Sequence, residues 1–521
     1  MRAVDAPVET AAVAPDLSDG LPNFSHGQIL RVLSGVILCI FLAAIDQTVV
    51  IPAVPAIAAD LHGFDHLAWI VSAYLLTATA ATPMYGKLSD IYGRRALLLP
   101  AIVLFVAASM LCGAAQSLNQ LIAARALQGL GGAGLMSMAQ ASIADVVAPR
   151  ERGRYQGYMA GAWGVASIAG PVLGGWMTDQ LSWRYIFWIN LLIGLAAFVL
   201  SARGLRLLKA ARRERAPIDF AGAALIAAVT TASLLVMSWG GGTYPWLSMP
   251  VTGLMAAAMA LLALLIWRER RAADPLLPPR LFANAVFVRG VAIAAIAAAG
   301  MFGATFLLPL QFQLTRGVDA ATSGTLLVPF LASTVAGAYA SGQMVRRIGR
   351  VKPILLGGLA LSVLGFLLLA TLDAGGSHLR SVVDMALLGF GIGCCMPTSL
   401  VLVQNAAERR DVGAATGSLL FLRSMGGAFG STLVGALLAG RFASRLRHLG
   451  VTRPIDLSDL RGHGSAVIDA TTRALAQRAL ESGFHLSFFA CAAMSAGALA
   501  ICVGLRDSVL KSGLPTPPPQ H

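Results

Sequence analysis

Two ionisable side chains stand where charge is expensive. Asp46 lies in the apolar stretch Ala44-Ile45-Asp46-Gln47-Thr48-Val49-Val50-Ile51-Pro52, and Arg125 opens Arg125-Ala126-Leu127-Gln128-Gly129-Leu130-Gly131-Gly132-Ala133-Gly134. An arginine at the centre of a bilayer-spanning helix costs ~2.5–3.5 kcal/mol on insertion scales, so such a residue faces the bundle interior and finds a partner. Asp46 is the clearest acid at membrane depth, and Arg125 is its natural counter-charge. A carboxylate held between a dry surrounding and a nearby guanidinium can take up and release a proton as its surroundings change. The chemistry on offer is therefore proton exchange, with Asp384 as a second acid able to share it. A pair that only fixes helix packing is the plain alternative.

Other chemistries lack their residues. No G-x-x-x-x-G-K-[ST] phosphate loop occurs, because Gly86-Lys87 runs into Leu88 without the upstream glycine. Cys39, Cys112, Cys394, Cys395, Cys491 and Cys502 all fall inside apolar runs, where a thiol behaves as a small hydrophobe. None has the flanking Cys or His spacing of a zinc site. No catalytic residues, metal or cofactor are expected, and the chain reads as no enzyme.

The elements that must position Asp46 and Arg125 are membrane helices. Of 521 residues, 57% are hydrophobic and only 12% charged, with a mean hydropathy of +0.72. A soluble domain carries about 25% charged residues. Apolar runs of bilayer-spanning length are expected near 32–54, 67–85, 96–114, 118–144, 155–178, 185–203, 220–239, 250–267, 287–312, 320–341, 353–373, 381–404, 413–438 and 484–505. Fourteen transmembrane helices result. The first run is too long for a signal-peptide core and reads as an uncleaved span.

Charge sets the orientation. The net charge of +14 could mean nucleic acid, but Lys and Arg gather in alternate connections. Lys87, Arg94 and Arg95, then Arg150, Arg152 and Arg154, the run Arg203 to Arg215, Arg268 to Arg289, Arg346 to Lys352, and Arg409 with Arg410 share one side. That alternation is the positive-inside rule, so both termini are expected in the cytoplasm and no nucleic-acid partner is. The long loop from Gly440 to Gly483 is assigned to the outer side, and Arg423, like Arg125, falls within a span.

The chain also repeats itself. Gly86-Lys-Leu-Ser-Asp-Ile-Tyr-Gly93-Arg94 recurs as Gly342-Gln-Met-Val-Arg-Arg-Ile-Gly349-Arg350, 256 residues on. Gly129 and Gly157 are echoed by Gly389 and Gly417, each 260 residues on. Such symmetry marks transporters built from two related halves around a central cavity. The expected division is a cytoplasmic tail at 1–27, a six-helix half at 28–205, a two-helix insertion with basic flanks at 206–284, a second six-helix half at 285–505 and a cytoplasmic tail at 506–521.

Four motifs resemble the major facilitator superfamily, specifically its fourteen-span drug:proton antiporter branch, across nearly all of residues 28–505. Gly86-Lys87-Leu88-Ser89-Asp90-Ile91-Tyr92-Gly93-Arg94-Arg95 is similar to the superfamily signature G-x-L-x-D-r-x-G-r-k, with Ile91 in place of its usual basic residue. Its glycines allow a tight turn, and Asp90 suits a helix N-terminus. Asp145 is the partner that the resemblance implies for Arg94. The stretch from Arg125 to Gly134 is similar to the branch's fourth-helix motif, and the resemblance gives Arg125 a role in proton coupling. Ala166-Ser-Ile-Ala-Gly170-Pro171-Val-Leu-Gly174-Gly175 resembles the antiporter signature G-x-x-x-G-P-x-x-G-G, and the stretch around Asp46 resembles the branch's first-helix motif. Small residues at fourfold spacing let a neighbouring helix approach.

The resemblance implies an all-α bundle of major-facilitator type, two six-helix halves plus two central helices, in a bacterial-type plasma membrane. It implies proton-coupled antiport that exports amphipathic drug-like compounds, cationic or neutral, by alternating access. A role in antibiotic resistance would follow. Export of an endogenous metabolite or siderophore by the same machinery is the alternative. Partners are small substrates, protons, the lipid bilayer and, as an open point, an accessory export protein. Met136, Met138, Met301, Phe302, Phe306 and Phe312 are candidates for a pocket lining, against the plainer reading of core or lipid-facing side chains.

Overall fold

A computed structural model describes residues 26–61, 68–147, 149–207, 219–240, 244–272, 275–316, 325–372, 378–408, 411–449 and 470–506. Most of both tails, most of the run Arg203 to Arg215, the pair Arg409 and Arg410, and the middle of the Gly440–Gly483 loop lie outside the described residues. Long helices dominate: α1 (His26–Leu61), α2 (Ala68–Tyr92), α3 (Arg94–Ala114), α4 (Leu118–Val146), α5 (Pro149–Gln180), α6 (Tyr185–Gly204), α7 (Phe220–Trp239), α8 (Met249–Arg271), α9 (Ala285–Arg316), α10 (Val328–Ile348), α11 (Lys352–Leu369), α12 (His378–Ala406), α13 (Val412–His448) and α14 (Ala470–Val503). Where water is absent, a helix satisfies every backbone group within one segment.

Among the described residues, nine of these helices are long and apolar enough to cross a membrane. Of the others, α7 is apolar but short by that measure, whereas α2, α4, α5 and α10 carry glycines and polar side chains where they pack on one another and line a central cavity. The helix α4 shows this best, with Arg125, Gln128, Ser137, Gln140 and Ser142 all buried.

Helix packing repeats in order. The helix α1 packs on α4, α5 and α6, and α9 packs on α12, α13 and α14. Likewise α2 meets α4 while α10 meets α12, and α3 meets α4 and α6 while α11 meets α12 and α14. The main contacts between these sets are α5 with α10 and α2 with α13, and α4 with α13 and α5 with α12 also meet. Gly93 and Gly349, the equivalent turn glycines of the sequence repeat, are the positive-φ glycines among the described residues, at 87° and 67°. Left-handed backbone strongly favours glycine, so the repeat is visible as chain geometry.

The pair α7 and α8 sits outside both sets. The helix α7 packs on α2 and α13, and α8 packs on α7, leaving nearly all of α8 exposed. Asp219 caps α7 through the Gly222 amide at 2.9 Å and holds Arg268 at the end of α8 at 2.9 Å. Desolvation pushes this carboxyl up, but the Arg268 bond and the backbone amides outweigh it and hold it below the usual carboxylate range.

One expectation is corrected. The helices α13 and α14 run well past the predicted spans 413–438 and 484–505, to His448 and back to Ala470. The loop from Gly440 to Gly483 is therefore helical at both flanks. Phe442 and Leu446 bury against Ala476 and Leu480 within one core cluster, while Arg441, Arg445 and Arg447 keep that extension from reading as apolar. Hydropathy marks where a helix meets lipid, not where it ends.

Candidate functional site

Asp46 is fully buried, and four helices converge on it. Arg125 of α4 donates to one carboxylate oxygen at 2.6 Å. Gln128 of α4 and Asn190 of α6 each donate to the other oxygen at 2.8 Å. Gln128 also accepts from Arg125 at 2.8 Å, and Ser109 of α3 bonds Asn190 at 3.0 Å. The Arg125 guanidinium donates to the Ile70 carbonyl at 3.1 Å and lies 4.5 Å from the centre of the Tyr74 ring. Only 1% of Arg125 is exposed, which excludes an arginine snorkelling to the interface.

A buried ion pair repays its desolvation only when its remaining lone pairs and protons are also satisfied. Gln128, Asn190 and Ser109 do that here, and sequence reasoning did not single them out for this role. Gln128 had a legible signal, lying one turn beyond Arg125 on the same helix face. Asn190 had a weaker one, a lone amide in the apolar start of α6.

A cavity of about 440 Å³ opens next to this cluster, lined from α1, α2, α4, α5, α7, α9, α10, α12 and α13. Tyr74 and Gln47 line it, whereas Asp46 and Arg125 do not. Tyr74 thus forms the wall between the cavity and the ion pair. Of the candidate lining residues, Met136, Met301 and Phe302 face the cavity. Met138 and Phe312 are buried in the core, and Phe306 is exposed but does not line the cavity.

The Gly86 motif joins α2 to α13. Asp90 accepts the Gly413 and Ala414 backbone amides at 3.0 and 2.9 Å, which are orphan donors at the start of α13. Arg94 binds Asp90 and Asp145, each at 2.8 Å, and also Ser89. Gly93 supplies the turn between α2 and α3. Gly86 lies against Gly413, and at the equivalent position Gly342 of α10 lies against Gly153 of α5. Gly157 and Gly164 continue that second seam against Tyr339 and Val335 of α10. Both crossings fall at the same end of the bundle. In the repeat, Arg346 occupies the position of Asp90, so the carboxylate clasp exists on one side only.

The antiporter-like motif on α5 divides. A Cβ on Gly170 would strike Thr48, and one on Gly174 would strike the Val49 carbonyl, so both pack directly on α1. Thr48 also donates to the Ala166 carbonyl at 3.0 Å. Gly175 has open space around it, and Pro171 is exposed. Of the motif residues, Gly170 and Gly174 form the seam while Pro171 and Gly175 do not, because successive residues of a helix point in different directions. It grips α1 two and three residues beyond Asp46. Asp384 on α12 is buried, its Oδ2 makes no hydrogen bond but pairs with Arg380 at 3.7 Å, and it is not part of the cavity lining.

Comparison with known proteins places these features in a wider set. Residues 36–431 match the model of the Major Facilitator Superfamily. The multidrug transporter protein MdtP of Bacillus subtilis (strain 168) is 38% identical over 416 residues, covering 80% of this chain and 76% of its own length. An uncharacterized MFS-type transporter of Mycobacterium tuberculosis (strain ATCC 25618 / H37Rv) is 37% identical over 415 residues, and the chain spans 60% of that relative. The solved proton:xylose symporter XylE has a TM-score of 0.62 at 15% identity, covering 92% of this chain and 95% of that one. That last likeness concerns the fold alone.

Proposed function

This chain belongs to the major facilitator superfamily, and from that premise we propose that it is a proton-coupled antiporter exporting amphipathic drug-like compounds by alternating access. It is a multi-pass membrane transporter and not an enzyme. Its relatives include multidrug transporters, which supports drug efflux. The fourteen-span branch fits the fourteen long helices among the described residues, with α7 and α8 as the insertion between halves of α1–α6 and α9–α14. A bacterial-type plasma membrane with the Gly86 end and both termini in the cytoplasm fits the Lys and Arg distribution.

The observation that carries the proton reading is the buried Asp46–Arg125 pair, one ring away from the cavity. A proton arriving on Asp46 would free Arg125 and slacken the network that joins α1, α3, α4 and α6. The α1–α5 glycine seam would then transmit that change towards α10, which α5 also contacts. The Asp90 clasp, in turn, holds the cytoplasmic end shut in the conformation described. Residues in these roles are Asp46 and Arg125 for coupling, Gly86, Asp90, Gly93, Arg94 and Asp145 for the gate, and Gly170 and Gly174 for the seam.

The test is proton movement itself. Purified protein in liposomes containing a trapped pH dye should move protons when an amphipathic substrate is added on one side, in the direction opposite to the substrate. Substrate crossing without any proton flux would overturn the antiport mechanism and leave a facilitator.

A further inference from the structure

The cavity holds one formal charge. Its described lining residues include no Asp, Glu, Lys or His, and Arg423 of α13 is the single ionisable cation among them. Elsewhere in the bundle, buried arginines are satisfied. Arg125 has Asp46, Arg94 has Asp90 and Asp145, and Arg152 donates to the Val147 and Ala144 carbonyls. Arg423 makes no hydrogen bond, ion pair or ring contact among the described residues. Arg423 is half-buried at the cavity wall, and a cation inside a membrane bundle without a counter-charge marks a binding pathway.

Two further groups are left open at the same cavity. Gln156 of α5, 3% exposed, has an amide nitrogen without a partner, and Gln140 of α4, 8% exposed, has an amide oxygen without one. Buried polar atoms normally find partners. The rest of the wall includes Trp163, Met136, Met159, Met301 and Phe302. Aromatic and thioether side chains repack around varied apolar bodies, and about 440 Å³ suits a drug-sized ligand.

Resting on the efflux reading above, we infer that the cavity selects amphipathic organic anions, compounds with an aromatic or aliphatic body and one carboxylate, sulfonate or phosphate group that Arg423 binds. Guanidinium binds such groups through two parallel hydrogen bonds. Gln156 and Gln140 add an unpartnered donor and acceptor beside the cavity wall. Organic cations meet only repulsion from Arg423, with no acid at the wall to offset it. This reading differs from the expectation of cationic or neutral substrates. It also makes one-for-one exchange strongly voltage-driven, because an anion leaving and a proton entering move two charges in the same electrical sense.

The experiment uses the full chain in phosphatidylcholine nanodiscs, without any gradient. Three fluorescent probes share one dansyl body: dansylglycine with its carboxylate, its neutral methyl ester, and the cationic dansylcadaverine. The wild type should bind the carboxylate at least tenfold more tightly than the ester, and the cation most weakly. Arg423→Gln should weaken carboxylate binding by about 30-fold, the lower range for truncating one partner of a buried charge pair, and leave the ester within about twofold. Arg423→Lys should restore part of the loss, since it keeps the charge without the fork. Equal losses for all three probes in Arg423→Gln, or a wild-type preference for the ester or the cation, would overturn the anion assignment while efflux stands. Failure of the wild type to bind any of the three would overturn the cavity as an export site, and this inference with it.

Discussion

On the proposed orientation, removing the Asp90 carboxylate should open the Gly86 end of the transporter to the cytoplasm. Asp90 joins α2 to the first turn of α13 through two backbone amides at 3.0 and 2.9 Å, and to Arg94 at 2.8 Å. Hydrogen bonds to a charged group contribute about 1.5–3 kcal/mol each. The Arg94 contact lies between the adjoining ends of α2 and α3 and survives opening, so only the two amide bonds count towards closure. Their lower bound is about 3 kcal/mol, which is roughly a hundredfold in a two-state ratio. Asp90→Ala should therefore shift the closed-to-open balance by that order. The assay exploits the six native cysteines, all buried. A cysteine introduced at Ser424, exposed and lining the cavity, reports access by a membrane-impermeant maleimide in inside-out vesicles. Labelling should rise by tenfold or more in Asp90→Ala. An unchanged rate in well-folded protein would refute the clasp, because the amides at the start of α13 would then be equally well served without it.

Four other outcomes follow from the same geometry. Asp46→Asn should insert and fold yet lose transport driven by a pH gradient in liposomes; unimpaired gradient-driven export would remove Asp46 from coupling and bring Asp384 forward. Gly174→Leu should cripple transport at near-normal membrane abundance, since overpacking costs about 1–3 kcal/mol, whereas Gly175→Leu, with nothing near its Cβ, should retain activity; equal effects would dismiss the seam. Asp219, held below the usual carboxylate range, adds stability above its unfolded value near 3.8 that is lost as pH falls through the lower folded one. Hydrogen exchange in α7 and α8 should accordingly stay slow near neutrality and quicken below about pH 4, and a flat profile would discount the Arg268 contact. Reporter fusions should place the Asp90 loop and the tail after Leu505 in the cytoplasm, and an outer-side signal from either would reverse the topology.

Much of this was written in local sequence. Gly93 and Gly349 could be read as turns because positive φ excludes most other residues, and the structure places both there. Asp46 and Arg125 could be read as partners because charge at membrane depth demands compensation, and they meet at 2.6 Å. Asp90 suited a helix N-terminus by charge alone. Which terminus it serves, that of α13 more than 300 residues away, came only with the tertiary structure. The same holds for Asn190 and Ser109 around Asp46, for the split of Gly170 and Gly174 from Gly175, and for Arg423 as the one charged side chain among the described cavity-lining residues. Burial cost, backbone chirality and hydropathy act within a few residues, so a sequence carries them openly. Convergence of side chains from separate helices depends on the rotation and crossing of each helix against its neighbours, and only the packed bundle fixes those.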